Sequence, residues 1–262
     1  MMTAEEEIKA RVIRNFGMHA EEFVISETHA LGADLPYVIE WLHPESQWVC
    51  LDVATGGGHV AKTLSPYVKQ VVAVDLTSAM LQAAAKHLTE QGIHNVLFLV
   101  ADAEQLPFLD LSFDVVTCRI APHHFPNPAQ FVREAARVLK PGGRFLMIDN
   151  VSPEDDRQAE FINHVEKLRD DSHVRYAAVR EWRAWMDASG FDLAVEKARK
   201  KVHPFTQWVS RTAESPQQFC QVEQFVLSAP EDMLVRFGVQ MSDGKVMRIE
   251  VDEWMALGIK RA

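Results

Sequence analysis

The chain of 262 residues is long enough to bury one large core, and an α/β protein of this size is commonly a single domain. Its 27 basic and 37 acidic residues give a net charge of -10, which opposes binding to nucleic acid and to anionic lipid surfaces. The cysteines form no paired motif, the N-terminus has no signal-peptide pattern, and no apolar run is long enough to span a membrane. We therefore expect a cytoplasmic protein without nucleic-acid or membrane partners, and a homodimer remains open.

Short apolar runs alternate with helical patterns between Trp48 and Asp149. This alternation is typical of βαβ units and predicts a largely parallel sheet. The runs, in chain order, are WVCLDV, VVAVD, VLFLV, FDVVTC and RFLMID. Residues 47–151 are therefore predicted to form the cofactor-binding core of a single domain, residues 1–262, with residues 1–46 as a helical cap.

Helix signals fall between and after these runs. Thr77 is predicted to cap a helix that stops at Gly92, and Asn127 with Pro128 opens another helix. The sequence Ser152-Pro153-Glu154-Asp155 predicts a further helix start by its capping-box spacing. Residues 152–262 are predicted to supply the substrate-side helices and the last two strands: a helix carrying Trp182 and Trp185, a strand from Phe191 to Val202, short helices between Gln207 and Phe237, and a strand from Glu253 to Ile259.

The segment CLDVATGGGHVAKT, residues 50–63, contains three overlapping nucleotide-binding patterns. Gly56, Gly58 and Ala61 form a variant of the dinucleotide fingerprint, and with Lys62 the segment comes close to a phosphate-binding P-loop. The third pattern, D-x-A-x-G-x-G, begins at Asp52. The P-loop is disfavoured because Ala61 adds a methyl group where the phosphate-wrapping turn uses glycine.

Acidic residues at the ends of strands discriminate between the remaining ligands, because ligands of open parallel sheets lie beyond the carboxyl ends of the strands. Asp75 suits the ribose hydroxyls of any adenosine-containing cofactor. Asp52 would repel the phosphates of NAD but attract a cationic ligand. S-adenosylmethionine carries an ammonium and a sulfonium and no phosphate. We therefore expect it as the cofactor, with Asp102 accepting from the adenine amino group.

Five segments, in family order and spacing, resemble the class I S-adenosylmethionine-dependent methyltransferases, especially the small-molecule branch similar to the ubiquinone and menaquinone C-methyltransferases. The segments are DVATGGG, VDLT, ADAEQLPF, SFDVV and VLKPGG, and together they cover about residues 48–150. The resemblance implies an α/β Rossmann-like fold with helices on both faces of a seven-stranded sheet. The implied strand order is 3-2-1-4-5-7-6, with the last strand antiparallel.

The resemblance also implies roles for individual residues. The N-terminal helices would bring Phe16 and His19 near the methyl group. Enzymes of this fold that methylate amide or nucleobase nitrogens often carry an Asn/Asp-Pro-Pro-aromatic motif, where this chain has residues 119–122 (RIAP), so transfer to carbon or oxygen of a small molecule is expected. The expected cofactor-binding residues are Asp52, Ala54, Gly56, Gly58, Asp75, Leu76, Met80, Asp102, Ala103 and Arg119.

Histidines are the candidate general bases, because imidazole titrates near neutrality and a base is needed if the acceptor must lose a proton. His19 and His124 are the predicted catalytic residues, with His123 on the same loop as His124. His29 and His173 are predicted substrate contacts. No metal-ligand spacing is present, so no metal is expected. An NAD-dependent oxidoreductase and a non-catalytic S-adenosylmethionine-binding protein remain as alternatives.

Overall fold

One sheet organises the part of the chain that the structure, a computed structural model, describes: residues 2–25, 30 and 32–262. Its strands are β1 (Val49–Val53), β2 (Gln70–Asp75), β3 (Val96–Val100), β4 (Phe113–Arg119), β5 (Leu139–Val151), β6 (Phe191–Pro204), β7 (Gln240–Ser242) and β8 (Lys245–Lys260). Their order is β3-β2-β1-β4-β5-β8-β6, with β7 paired to β8. Strands β1 to β5 pair in parallel, and β8 is antiparallel to β5, β6 and β7. The predicted largely parallel sheet with an antiparallel last strand is confirmed.

The short strand β7 is the one element by which the sheet differs from the prediction. The predicted order 3-2-1-4-5-7-6 holds once β7 is left out of the count, because β8 is then the seventh strand. Asp243 and Gly244 form the two-residue turn between β7 and β8, with φ of 52° and 72°. An Asp-Gly turn of this kind matches the twist of a hairpin. The predicted start of the last strand at Glu253 is wrong, since the hairpin extends β8 back to Lys245.

Helices pack on both faces of the sheet, as the resemblance implies. Leu51 faces one hydrophobic cluster with Phe131 and Trp182, while the neighbouring Cys50 faces a second cluster with Leu64. Burial on both faces explains why β1, β2 and β4 are almost continuously apolar, whereas the apolar edge strand β3 is mostly exposed. No helix of the described residues is both long and apolar enough to cross a membrane. The helices are α1 (Ala4–Met18), α2 (Ala20–Ile25), α3 (Leu35–Leu42), α4 (His59–Leu64), α5 (Ser78–Glu90), α6 (Pro128–Val138), α7 (Asp156–Arg169), α8 (Val179–Ala188), α9 (Phe205–Ser210), α10 (Pro216–Leu227) and α11 (Glu231–Arg236).

The segment after β5 forms a third hydrophobic cluster beyond the carboxyl end of that strand. Phe161 of α7, Trp208 of α9 and Val222 of α10 pack there against Val251 of β8. The register pairs Val151, the last residue of β5, with Asp252, so residues 245–251 of β8 extend past β5. The β7–β8 hairpin and these helices therefore stand on the side of the sheet where ligands bind.

The helix predicted to begin at Ser152 begins later. The backbone N–H of Ser152 donates to the carbonyl of Ala177 at 3.2 Å, which keeps this residue in extended backbone beyond β5. Asp155 is the residue that caps α7, since its Oδ1 accepts from the backbone N–H of Gln158 at 3.0 Å. The helix start predicted from the capping-box pattern is therefore three residues too early, because pairing with the segment before α8 holds Ser152 in extended backbone.

Candidate active site

The carboxyl ends of β1, β2 and β4 open into a cleft of about 1030 Å³ that is partly open to solvent. Lys9, Val12 and Phe16 of α1 line it from above, so the N-terminal helix covers the strand ends. We call it the cofactor cleft. It is lined by every residue of the predicted cofactor-binding set except Gly58: Asp52, Ala54, Gly56, Asp75, Leu76, Met80, Asp102, Ala103 and Arg119.

Asp52 of β1 lines the cofactor cleft and is 1% exposed. Its Oδ2 accepts from the hydroxyl of Thr55 at 2.6 Å, and its Oδ1 accepts from the hydroxyl of Thr117 at 2.7 Å. Burial raises the pKa of Asp52 to about 6, although both hydroxyls favour the ionised form. A buried carboxylate in this position repels a diphosphate and favours a cation, as the sequence argument requires.

Asp75, the last residue of β2, ties the glycine loop to the start of α5. Its Oδ2 accepts from the backbone N–H of Gly56 at 3.0 Å, and its Oδ1 accepts from the backbone N–H of Thr77 at 2.9 Å. Burial raises the pKa of Asp75, which these backbone donors oppose. The hydroxyl of Thr77, predicted to cap α5, makes no cap hydrogen bond. Each oxygen of Asp75 has a further lone pair with which to accept from a ribose hydroxyl.

Asp102 forms an ion pair with Lys9 of the cap helix α1. The ammonium of Lys9 lies 2.7 Å from Oδ2 of Asp102 and 2.7 Å from a carboxylate oxygen of Glu104. Burial opposes the charged form of Lys9, but the hydrogen bonds to both carboxylates raise its pKa. Oδ1 of Asp102 accepts from the backbone N–H of Glu104 at 2.9 Å. Lys9 therefore shares the carboxylate that is predicted to accept from the adenine amino group, and each oxygen of Asp102 keeps a further lone pair.

Gly58, a predicted cofactor-binding residue, does not line the cofactor cleft and packs against a neighbouring helix. Its φ of +78° lies in the left-handed region, and it is the N-terminal cap of α4. A Cβ atom there would lie 3.2 Å from Cδ1 of Leu88 and 3.4 Å from Cβ of Ala84, both in α5. The neighbouring Gly57 lines the cofactor cleft in its place. Glycine is therefore favoured at position 58 because the backbone has a positive φ and because a Cβ atom would crowd α5.

Arg119, at the end of β4, is held by the buried carboxylate of Asp34, a contact that no sequence pattern predicts. Its guanidinium donates two hydrogen bonds to Asp34, one of them from Nη2 to Oδ1 at 3.0 Å. Burial alone would raise the pKa of Asp34, but these hydrogen bonds and the charge of Arg119 lower it to about 2. Arg199 of β6 also contacts Asp34, at 3.3 Å. The pair fixes Arg119 against the cofactor cleft.

A second cavity of about 580 Å³, the side chamber, adjoins the cofactor cleft. Phe16, Ile120 and His124 line both cavities and form their shared wall. Ile120 has a φ of +51°, which a β-branched residue rarely adopts, and its backbone N–H donates to Ile148 at 2.7 Å. Strained backbone of this kind is concentrated at functional sites.

His123 and Asp149 form a hydrogen-bonded pair in the wall of the side chamber. Nδ1 of His123 lies 2.7 Å from Oδ1 of Asp149, and the backbone N–H of His123 donates to Oδ2 at 3.0 Å. Burial opposes protonation of the ring, but the charge and hydrogen bond of Asp149 raise the pKa of His123. Nε2 of His123 makes no hydrogen bond to the described residues. A carboxylate-oriented imidazole with one unengaged nitrogen is the arrangement of a general base.

His124 has the opposite electrostatic character. Burial and the neighbouring His123 lower its pKa to about 3, so the ring is neutral near pH 7. Its Nδ1 lies 3.2 Å from the carbonyl oxygen of Ser172, which can only accept, so Nδ1 carries the hydrogen. Nε2 is thereby left as an acceptor. The ring of Phe16 packs edge-on against His124 at 5.0 Å, which places both at the shared wall.

The other predicted histidines lie away from both cavities or outside the described residues. His19 lines a separate pocket of about 290 Å³ behind Phe16. His173 is buried behind His123, with its Nε2 3.0 Å from Oδ1 of Asn163. His29 lies outside the described residues. The roles predicted for His19, His29 and His173 stay predictions, and the geometry favours His123 and His124 over them.

The residues of the cofactor cleft fit S-adenosylmethionine. Asp75 and Asp102 would hold its ribose hydroxyls and adenine amino group, with Met80 beside the adenine, and Asp52 would face its cationic end. Lys62, which a P-loop would aim at phosphates, is exposed on α4. In the described residues, no group of three or more His, Cys, Asp or Glu side chains is placed to hold a metal ion.

Comparisons with known proteins agree with this fit. Residues 51–147 match the family model of the methyltransferase domain. The uncharacterized methyltransferase YcgJ of Bacillus subtilis (strain 168) is 41% identical over 198 residues, which are 75% of this chain and 78% of that protein. The chain belongs to the S-adenosylmethionine-dependent methyltransferases. S-adenosylmethionine is therefore its cofactor, and the alternatives of an NAD-dependent oxidoreductase and a non-catalytic binder are set aside.

Further relatives support the same family. The solved structure of BH2331 from Bacillus halodurans C-125 superposes with a TM-score of 0.86 and 39% identity, covering 88% of this chain and 100% of that chain. The ubiquinone/menaquinone biosynthesis C-methyltransferase UbiE of Bartonella quintana (strain Toulouse) is 41% identical over 118 residues, 43% of this chain and 45% of UbiE. The resemblance to the class I methyltransferases is thus confirmed.

Proposed function

We propose that this methyltransferase acts on a small molecule bound in the side chamber and transfers the methyl group to a carbon or oxygen atom. The observation that carries the proposal is the wall shared by the two cavities. Phe16, Ile120 and His124 separate the cofactor cleft from the side chamber. A methyl donor in the cleft and an acceptor in the chamber would meet there.

Alignment is the first task of these residues. When bound, S-adenosylmethionine supplies a methyl group already activated by the positive charge of its sulfonium. Phe16 and Ile120 present apolar surfaces that fix the acceptor in line with that methyl group and exclude water. Positioning of two reactants in this way contributes on the order of 7 to 11 kcal/mol to lowering a barrier.

Removal of a proton from the acceptor is the second task, and we assign it to His123. Nε2 of His123 takes the proton that the acceptor loses in the transfer, for which bound S-adenosylmethionine would supply the methyl group and would keep, on sulfur, the electron pair of the broken bond. Asp149 stabilises the resulting imidazolium through Nδ1, at 2.7 Å. His124 is the weaker base of the pair, because its pKa is lowered to about 3. Opposite pKa shifts in neighbouring groups commonly separate catalytic roles.

The neutral ring of His124 suits its place beside the cofactor. A second positive charge at the shared wall would repel the sulfonium, whereas a neutral imidazole does not. Its Nε2 can accept a hydrogen bond from the acceptor and hold it against Phe16. His124, predicted to be catalytic, is therefore proposed to orient the acceptor, and His123 to act as the base.

The choice of carbon or oxygen rests on two observations. UbiE, which matches 43% of this chain, is named a C-methyltransferase. Enzymes that methylate amide or nucleobase nitrogens often carry an Asn/Asp-Pro-Pro-aromatic motif at the position of residues 119–122. This chain has RIAP there and lacks that motif.

The experiment is incubation of the enzyme with a metabolite extract and S-adenosylmethionine labelled in the methyl group. We expect a labelled small-molecule product, and about 10²- to 10⁴-fold slower labelling by His123→Gln, the range typical of loss of a general base. The exposed His94→Gln variant is the matched control and should label normally. Labelling of macromolecules alone, or full labelling by His123→Gln with unchanged binding of S-adenosylhomocysteine, would contradict the proposal.

A further inference from the structure

Three cationic side chains line the side chamber: Arg169, Lys201 and Arg211. Nε of Arg169 lies 3.0 Å from Oε2 of Glu166, and the ammonium of Lys201 lies 3.2 Å from Oε1 of Glu253. Both of these cations therefore have a carboxylate of this chain. Such pairing is expected, because an unpaired charge in a buried site is costly.

Arg211 differs from them. It follows α9 and is partly buried, and its backbone N–H donates to the carbonyl of Val209, but its guanidinium makes no hydrogen bond or ion pair with any described residue. Asp170 lies in the same wall, but its Oδ1 accepts from the hydroxyl and backbone N–H of Ser172, at 2.5 and 2.9 Å, and it forms no ion pair with Arg211. Burial and the charge of the neighbouring Arg169 lower the pKa of Arg211 to about 10. No carboxylate of the described residues pairs directly with this guanidinium, although the more distant charge of Glu166 favours its protonated form.

Asn150 shows independently that the side chamber is built for a polar ligand. The hydroxyl of Tyr176 donates its one hydrogen to Glu166, so toward Asn150, 3.1 Å away, it can only accept. Asn150 must therefore present its amino group to Tyr176, which leaves its Oδ1 on the other side. That oxygen is buried and has no partner in the described residues, although Asn150 is only 5% exposed. A buried polar atom without a partner is rare and requires an explanation.

His203, near Arg211, also has a buried polar atom without a partner. It is 5% exposed, lines the side chamber, and stacks on Trp208 at 5.4 Å. Its Nε2 is buried and has no partner in the described residues. The chamber thus offers an aromatic surface, two unsatisfied polar atoms and one guanidinium without a counter-ion.

We propose that the methyl acceptor is a small carboxylic acid whose carboxylate is bound by Arg211. This inference rests on the proposed function, because it names the chemical class of that acceptor. The planar fork of a guanidinium matches a carboxylate with two parallel hydrogen bonds. A single unpaired guanidinium balances one negative charge, which favours a carboxylate over a phosphate dianion. Trp208 and His203 would contact the apolar body of the acid.

The carboxylate is the anchor and not the atom that is methylated. Arg211 belongs to the part of the wall formed after α9, whereas His124 belongs to the wall shared with the cofactor cleft. An acid bound through Arg211 therefore presents another atom to the methyl group, and the product keeps its negative charge.

Calorimetry with salicylate, salicylamide and phenyl phosphate as probes tests the anchor, in the presence of saturating S-adenosylhomocysteine. We expect salicylate to bind about tenfold or more tighter than the neutral salicylamide, the effect of hydrogen bonds to a charged group. Arg211→Gln should abolish the preference and Arg211→Lys should keep part of it. Arg157→Gln, at an exposed arginine paired with Asp232, is the matched control. Unchanged affinity for S-adenosylhomocysteine shows that each variant is folded.

Equal binding of salicylate and salicylamide, no binding of either, tighter binding of phenyl phosphate, or a preference that survives Arg211→Gln would overturn the inference. The charge of the labelled product from the metabolite extract provides a second test. A product retained by an anion exchanger at pH 7 supports the carboxylate, and a neutral product contradicts it while leaving methyl transfer intact. Absence of any labelled product contradicts the proposed function instead, so the two failures are distinguishable.

Discussion

The ammonium of Lys9 lies 2.7 Å from Oδ2 of Asp102, so the cap helix α1 holds the carboxylate that the family resemblance assigns to the adenine amino group. Glu104 receives the same ammonium at 2.7 Å. At the other end of α1, Asn15 donates to Asp171 at 2.5 Å and Arg14 pairs with Asp171 at 2.7 Å. The helix is therefore held across the cofactor cleft at two points, and we expect its release to accompany cofactor exchange.

Substitution of Lys9 tests this fastening. Lys9→Ala removes two partly exposed ion pairs, and we expect S-adenosylhomocysteine to dissociate about fivefold faster, which corresponds to roughly 1 kcal/mol. Stopped-flow dissociation measures the change. Lys86→Ala, at an exposed lysine of α5, is the control and should leave the rate unchanged. An unchanged or slower dissociation from Lys9→Ala would show that α1 does not restrain the cofactor.

The raised pKa of Asp52 predicts a pH dependence of cofactor binding. A cation binds the ionised carboxylate, so protonation competes with S-adenosylmethionine and affinity should fall as pH drops through about 6. Asp52→Asn should lose this dependence and bind S-adenosylmethionine about tenfold or more weakly at pH 8. Titration calorimetry between pH 5 and pH 8 measures both. A slope in the variant equal to that of the wild type would exclude Asp52 as the titrating group.

Asp75 is predicted to recognise the ribose, but its hydrogen bonds to Gly56 and Thr77 also hold the loop, so loss of affinity alone is ambiguous. A comparison of S-adenosylhomocysteine with its 2′-deoxy analogue separates the two roles. The wild type should prefer the natural ribose by about tenfold, the effect of a hydrogen bond to a charged group. Asp75→Asn should reduce that preference, and an undiminished preference would refute the assignment.

Gly58 is predicted to affect stability and not cofactor affinity. Gly58→Ala should destabilise the fold by about 1–2 kcal/mol through its positive φ, plus the cost of the contact with Leu88, as measured by urea unfolding. Gly92→Ala is a matched control, because Gly92 has a φ of +75° and nothing within 4 Å of its added Cβ. The Gly58 variant should therefore be the less stable of the two. Equal stabilities, or a large loss of affinity for S-adenosylhomocysteine in Gly58→Ala, would restore the cofactor role.

The sequence allowed the cofactor cleft to be predicted because its parts are local. Strand ends, a glycine loop and acids at fixed spacing follow from the βαβ pattern, and Asp52, Asp75 and Asp102 all line the cleft. The hairpin carrying β7 could also have been found, since Asp243-Gly244 is a strong turn signal.

The side chamber could not be predicted from the sequence in the same way. Its walls combine residues from the end of β5, from the loop that follows α7 and from the segment after α9. Only the tertiary fold brings these segments together. Asp149 ends the fifth apolar run, so the strand-end argument could have selected it beside His123. For Arg211 no sequence signal distinguished an unpaired guanidinium from a surface arginine, because pairing depends on long-range contacts.

The pH dependence of the methyl-transfer rate constant in single turnover, measured on the labelled product with saturating acceptor, tests the assignment of His123 most directly. A base must be neutral to act, and Asp149 raises the pKa of His123, so the wild-type rate should rise with pH through a midpoint above 6.5. Asp149→Asn removes the charge that raises this pKa, so its midpoint should lie at lower pH and its plateau should be lower. The same midpoint in both enzymes, or a wild-type rate independent of pH, would contradict the account.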